Sequence, residues 1–287
     1  MEFLSCKLKD YAQFVKLRLA SIVVFSAFAG YMLAPGQADW HKLSILIISG
    51  FLVTCASNGF NQIIERGLDA LMDRTAKRPL PDNRMSLIEA YTFATILGVA
   101  GLVLLFVFIN PLSCFLGLLA LLSYTLAYTP LKRITPFAVL VGAFPGAIPP
   151  LLGWAAATNS IGIGGLILFA IQFMWQFPHF WAIAWVLDDD YKKAGFKLLP
   201  SPGGRDKASA FQVLVYSIGL LPISLLPIVF KMSGTIAAVA IIITGVWFLV
   251  LSIKLYRSLE LKDSRKLMLA SFVYLPVVQI ALILDKL

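Results

Sequence analysis

The chain has 287 residues, of which 59% are hydrophobic and only 14% charged, with a formal net charge of +9. A mean hydropathy of +0.85 excludes an ordinary soluble domain, because so few polar residues cannot cover a water-facing surface. The apolar runs are long enough to cross about 30 Å of hydrocarbon as helices, so the composition specifies an all-α, polytopic membrane protein.

The predicted elements begin with residues 3 to 16, an interfacial helix with Leu4, Leu8, Tyr11 and Val15 on one face. The polar start includes Asp10 and no small-residue cleavage site follows the first apolar run, so a removable signal peptide is not expected. Nine spans follow: Val15 to Leu33, Leu43 to Ile64, Met85 to Ile109, Leu112 to Tyr128, Phe137 to Ala157, Ile161 to Leu187, Phe211 to Phe230, Ile236 to Leu255 and Leu267 to Leu284. They make one bundle and one domain, residues 1–287, with an interfacial segment 1–14 at its start. Nine spans put the N-terminus and the connections after spans 2, 4, 6 and 8 on one side. Of the 24 Lys and Arg residues, only Lys42, Lys231 and Lys286 fall opposite, so the positive-inside rule makes the basic side cytoplasmic. The basicity is a topology signal and calls for no nucleic-acid partner. Cys6, Cys55 and Cys114 belong to no motif and read as packing residues.

Chemistry gathers on the basic side. The stretch NGFNQIIERGLDALMDRTAKRPLPDNR, Asn58 to Arg84, places Asn61, Glu65 and Asp69 at i, i+4 and i+8. In a helix they form one polar stripe, which Asp73 continues a turn later. Arg74, Lys77 and Arg78 follow at once. Oxygen ligands beside a cationic cluster suit both a divalent metal and a polyphosphate; the bland alternative is a salt-bridged helix end. Asn58 and Gln62 fit the same site or simple helix-to-helix hydrogen bonds.

The connection YTLAYTPLKRITP adds Tyr124, Tyr128, Lys132 and Arg133, the two cations serving equally well as topogenic charges. Span 6 carries QFMWQFPHFWAIAW, Gln172 to Trp185. Pro178 can kink it, and Gln172, Gln176 and His179 put polar groups among Trp175, Phe177, Phe180, Trp181 and Trp185. His179 is open to three readings: iron ligand, proton carrier or structural hydrogen bonder. A second acid-rich connection, DDDYKKAGFKLLPSPGGRDK from Asp188 to Lys207, repeats the first design, and Asp69 to Leu80 equals Asp188 to Leu199 in length. Two acid clusters facing one cavity would hold magnesium, with Arg74, Lys77 and Arg78 on a diphosphate. The chemistry indicated is metal-assisted ionisation of a lipid diphosphate, with aromatic faces sheltering an allylic cation.

NQIIERGLDALMDRTAKRPLP, YTPLKRITP, GAFPGAIPPLLGW and WQFPHFWAIAWVLDDDYKKAG resemble the UbiA-type intramembrane prenyltransferases over nearly the whole chain. Met72, Arg74-Thr75 and Arg78-Pro79, joined to Pro178-His179-Phe180 and Asp189-Asp190-Tyr191, point to the branch that acts on heme. The resemblance implies a nine-helix bundle with a cytoplasm-facing central cavity, in the plasma (inner) membrane. It implies transfer of farnesyl from farnesyl diphosphate to a vinyl group of heme B, giving heme O for terminal oxidases, with Mg2+ as cofactor. Farnesyl diphosphate, heme B, membrane lipid and terminal oxidase assembly proteins are the partners expected. Asn61, Glu65 and Asp69 carry over as the first metal and diphosphate motif, Arg74 and Arg78 as its basic continuation, and Asp189 with Asp190 as the second acidic motif. Lys77, Tyr124, Lys132, Arg133, His179 and Tyr191 complete the expected substrate-binding set. Gly67 stands where many relatives carry an acid, an auxiliary charge outside the stripe. Two rival readings remain: a prenyltransferase for a quinone precursor or other aromatic acceptor, and a secondary transporter with a charged pocket. Lys16 and Arg18 fit either snorkelling anchors or partners of heme propionates.

Overall fold

A computed structural model describes residues 2–287, with side chains described from Lys7 onward. The calls on Leu4 and Cys6 therefore lie outside the described side chains. In chain order the helices are α1 (Glu2–Val15), α2 (Leu17–Leu33), α3 (Trp40–Asp69), α4 (Leu87–Leu104), α5 (Pro111–Leu122), α6 (Thr129–Leu131), α7 (Ala138–Thr158), α8 (Ile163–Val186), α9 (Asp188–Lys193), α10 (Lys207–Ser224), α11 (Leu226–Val229), α12 (Thr235–Ser258) and α13 (Leu261–Leu284). The π-helical turns Leu105–Ile109 and Ser123–Tyr128 extend α4 and α5. Eight of the resulting rods are long and apolar enough to span a membrane. Counted as one span, the pair α1–α2, bent by 46°, brings the number to nine. The protein is an integral membrane protein whose outer helix faces, such as Ile88, Ile96, Val99 and Val103 on α4, are exposed apolar surface.

The inner faces are built for close approach. A Cβ at Gly30 or Gly153 would collide with the backbone of Pro150 or Ala27 respectively, so α2 and α7 touch through small residues. Proline then shapes α7 from within. Pro150 has no N–H for the carbonyl four residues back, Gly146. Gln172 Nε2 of α8 donates to that Gly146 oxygen at 2.7 Å, so this amide repairs a helix and carries no visible chemistry.

The N-terminal helix exists as expected, but its inward face differs. Phe14 and Val15 are buried together with Asp10, whereas Leu8 is 64% exposed. Polar contacts set the rotation: Asp10 pairs with Arg84, and Glu89 of α4 takes Lys7 and Tyr11. At the break, Lys16 adopts a left-handed conformation (φ 54°), and the carbonyls left open at the end of α1 find partners on α3. Asn58 Nδ2 donates to Val15 O, and Gln62 Nε2 to Gln13 O and Phe14 O. These two amides therefore cap a helix end.

The second helix of the bundle core, α3, runs 30 residues, past the apolar run and through the polar stripe. Near its end, a Cβ on Gly67 would meet nothing within 4 Å. Gly67→Ala is accordingly expected to stabilise the fold by about 0.5–1 kcal/mol, since glycine in a helix costs backbone entropy. A raised thermal midpoint in detergent checks this; a lowered one would expose a packing role for the glycine.

Candidate active site

The extension of α3 carries Asn61, Glu65 and Asp69 inward, at 1%, 4% and 0% exposure. The helical spacing thus puts all three on one buried face, a costly place for acids without counter-charges. Counter-charges come from two other connections. Arg78, in the turns after α3, donates to Asp69 Oδ2 at 2.6 Å. Lys132, in the connection after α6, pairs with Glu65 Oε1 at 2.7 Å. Asn61 accepts from Lys16 at 3.1 Å and donates to Thr129 Oγ1 at 3.2 Å.

The stripe ends at Asp69. Helix α3 stops there, Thr75 Oγ1 donating to the Asp69 carbonyl at 2.8 Å. Asp73 leaves the helical register and becomes a surface group paired with Lys193. Its expected place in the stripe is corrected by that termination.

Lys132 is aimed by the π-helical turn before it. Pro130 cannot donate to the carbonyl of Leu126, and the widened Ser123–Tyr128 segment accommodates the break. Lys132 lies 4.7 Å above the Tyr128 ring and 5.5 Å from that of Phe196. Burial pulls its ammonium down, but the Glu65 carboxylate and the Tyr124 hydroxyl outweigh that and hold it above the ordinary lysine range. Tyr191, nearby on α9, has its hydroxyl pushed up by burial against the opposing pull of Arg74 and Lys132.

The second acid run meets the first connection directly. Asp190 accepts from the backbone N–H of Asp73 at 2.8 Å and of Arg74 at 3.4 Å. Asp189 points outward, its side chain 78% exposed and paired with Arg205 at 2.9 Å. Asp188 is the buried member, held by Lys192 at 2.7 Å. Among the described residues, no three His, Cys, Asp or Glu side chains form a ready metal cage. The donor chemistry fits a magnesium ion nonetheless. Asp69 Oδ1 is buried with no partner, a cost that an arriving cation would relieve.

The structure thus brings together Asn61, Glu65, Asp69, Arg78, Lys132, Tyr124, Tyr128 and Tyr191. Arg74, Lys77 and Arg133 are exposed at the same end. Lys16 joins the group through Asn61, a contact no local pattern announces, because it depends on the left-handed break between α1 and α2. Arg205, the arginine toward the end of the second connection, also lies 3.8 Å from Asp188, a pairing with the acids that has no local signature.

The chain matches the UbiA prenyltransferase family over residues 23–275. It is 46% identical to a protoheme IX farnesyltransferase of Cytophaga hutchinsonii, over 99% of both chains. It is 47% identical to the corresponding enzyme of Christiangramia forsetii, over 97% of this chain and 94% of that one. A solved structure of digeranylgeranylglyceryl phosphate synthase superposes with a TM-score of 0.81 at 22% identity, covering 99% of each chain. A UbiA homolog from Archaeoglobus fulgidus bound to GPP and Mg2+ does so with a TM-score of 0.67 at 16% identity, over 95% of this chain and 99% of that one. A family match across most of the sequence and near-full-length relatives on the same bundle lead to one conclusion: the chain belongs to the UbiA prenyltransferase family.

Proposed function

We propose that this protein transfers the farnesyl group of farnesyl diphosphate to a vinyl group of heme B, releasing diphosphate and giving heme O. The observation that carries the reading is the near-full-length likeness to protoheme IX farnesyltransferases. The buried stripe beside Arg78 and Lys132 supports the reaction class, since a departing diphosphate needs positive charge where its own negative charge develops.

Asn61, Glu65 and Asp69 would hold Mg2+ together with the diphosphate, and Asp189 and Asp190 would close the site from the second connection. Bound there, the ion supplies electrostatic stabilisation of the leaving group. Arg78, Lys132 and Lys16 are the side chains positioned to take diphosphate oxygens when the carboxylates turn to the metal. Arg74 and Lys77 extend that charge to the solvent edge, with Arg133 beside them. Tyr124 and Tyr128, ring centroids 5.3 Å apart, offer aromatic faces to an allylic cation. The site then works at the cytoplasmic face of the plasma membrane, where the basic connections are expected to lie. The product passes to the assembly of a terminal oxidase.

Purified protein given Mg2+, farnesyl diphosphate and either heme B or 4-hydroxybenzoate tests this, with products read by mass spectrometry. Farnesylated heme that vanishes when the metal is chelated is the expected result. Prenylation of 4-hydroxybenzoate alone would move the protein to the aromatic-acid branch, and no product with either acceptor would revive the transporter reading.

A further inference from the structure

The diphosphate end leaves one buried imidazole unused. His179 precedes Asp188 by nine positions on the α8 side of the site, about 13 Å deeper at 1.5 Å per residue. It is 8% exposed. One ring face stacks on Trp175, with centroids 4.3 Å apart and planes at 17°. Phe180 and Phe272 meet the ring edge-on at 5.6 and 5.0 Å.

Hydrogen bonds fix which nitrogen is free. Nδ1 lies 2.7 Å from Ser271 Oγ on α13. That hydroxyl also lies 2.6 Å from the Met268 carbonyl oxygen, which can only accept, so the hydroxyl proton is used there. Ser271 Oγ must therefore accept from Nδ1–H. Trp175 Nε1 donates to the carbonyl of the same Ser271 at 3.0 Å, holding the acceptor in place. In the neutral ring the lone pair then sits on Nε2, which has no hydrogen-bond partner among the described residues.

A structural tie between α8 and α13 needs only Nδ1. It does not account for Nε2, the one nitrogen of a ring only 8% exposed that is left without a partner among the described residues and open to a ligand. An N–H anchored on oxygen with the opposite nitrogen bare is the arrangement that orients histidine toward a metal. The position also leads to the diphosphate end. Phe180 packs on Tyr128 at 6.2 Å, Tyr128 lies under Lys132, and Lys132 holds Glu65.

We infer that His179 Nε2 donates its lone pair to the iron of the acceptor porphyrin, and that Ser271 is a positioning residue that fixes the imidazole for this bond. Ligation sets the height and tilt of the flat, apolar ring of the acceptor. It also makes the site prefer an iron porphyrin to the metal-free ring. The inference rests on the heme B reading above and adds to it the atom that grips the acceptor.

The full-length protein in detergent, titrated with heme B and separately with metal-free protoporphyrin IX, tests the inference by absorption and electron paramagnetic resonance. The wild type is expected to prefer heme B by more than about tenfold, since losing even a group that orients the ligand costs about 10–100-fold in metal affinity, and to show nitrogen-ligated iron. His179→Ala should bind both porphyrins alike and lose that signature, and added imidazole should restore it. Ser271→Ala, a gentler change that covers a misfolded His179→Ala, should weaken heme B about tenfold while leaving protoporphyrin IX unchanged. Wild-type selectivity and spectrum in His179→Ala, or in Ser271→Ala where His179→Ala does not fold, would overturn the inference while leaving heme as acceptor. A wild-type protein that neither binds heme B nor farnesylates it would overturn the acceptor reading as well.

Discussion

Asp69→Asn is expected to lower the rate of farnesyl transfer by about 10²–10³-fold, the scale seen when one aimed electrostatic group is removed from a reaction centre. The side chain is fully buried, and its two oxygens have different fates. Oδ2 takes Arg78 at 2.6 Å, while Oδ1 has no partner. An amide keeps the volume and can still accept from Arg78, but it cannot hold a cation against a polyphosphate. The fold should survive, because the amide oxygen still accepts from Arg78, whose side chain keeps 12% exposure. Farnesylated heme measured at saturating Mg2+ and substrates, beside an unchanged gel-filtration profile, is the check. Asp73→Asn serves as the control: its side chain is 85% exposed, so its rate should stay near wild type. Full turnover in Asp69→Asn would count decisively against metal and diphosphate binding at the stripe.

The contrast between Asp69 and Asp73 also shows what the sequence could and could not convey. Spacing at i, i+4 and i+8 put Asn61, Glu65 and Asp69 on one face, and the helix is there to realise it. The same arithmetic carried on to Asp73 failed, because a threonine six residues past Asp69 folds back onto its carbonyl and ends the helix. Hydropathy found every span, since lipid demands apolar length. It stopped α3 near Ile64, however, because a buried polar stripe looks like a loop to any apolar average. Asn58 and Gln62 were legible as costly amides and illegible as caps: their partners at Gln13, Phe14 and Val15 are 43–49 positions away. Asp189 and Asp190 look alike in sequence, yet one faces solvent beside Arg205 and the other clamps the first connection. Only the direction in which α9 leaves α8 distinguishes them.

Lys132→Met is expected to cost about 3–5 kcal/mol of stability, because it leaves Glu65 as an uncompensated charge in a buried place. The side chains of the pair are 10% and 5% exposed, so water cannot replace the lost ammonium. Methionine keeps the stem that packs on Tyr128 and Phe196, which isolates the charge as the cause. The pH dependence has a definite sign. The ammonium is held above its ordinary value of 10.5, so its share of the stability is fully present below that value. It is lost only as pH rises through the higher folded value. The share that the ammonium contributes in the wild type should therefore be constant from about pH 6 to about pH 9. Glu65→Gln in the Lys132→Met background removes the stranded charge and should recover most of the thermal midpoint, since a neutral pair of similar volume substitutes well for a buried ion pair. Activity should not return with it: the recovered fold would lack both an acid of the stripe and a cation for the diphosphate. A double variant no more stable than Lys132→Met alone would mean that the two residues do not act as a unit, and that Lys132 is held in place by the aromatic rings instead.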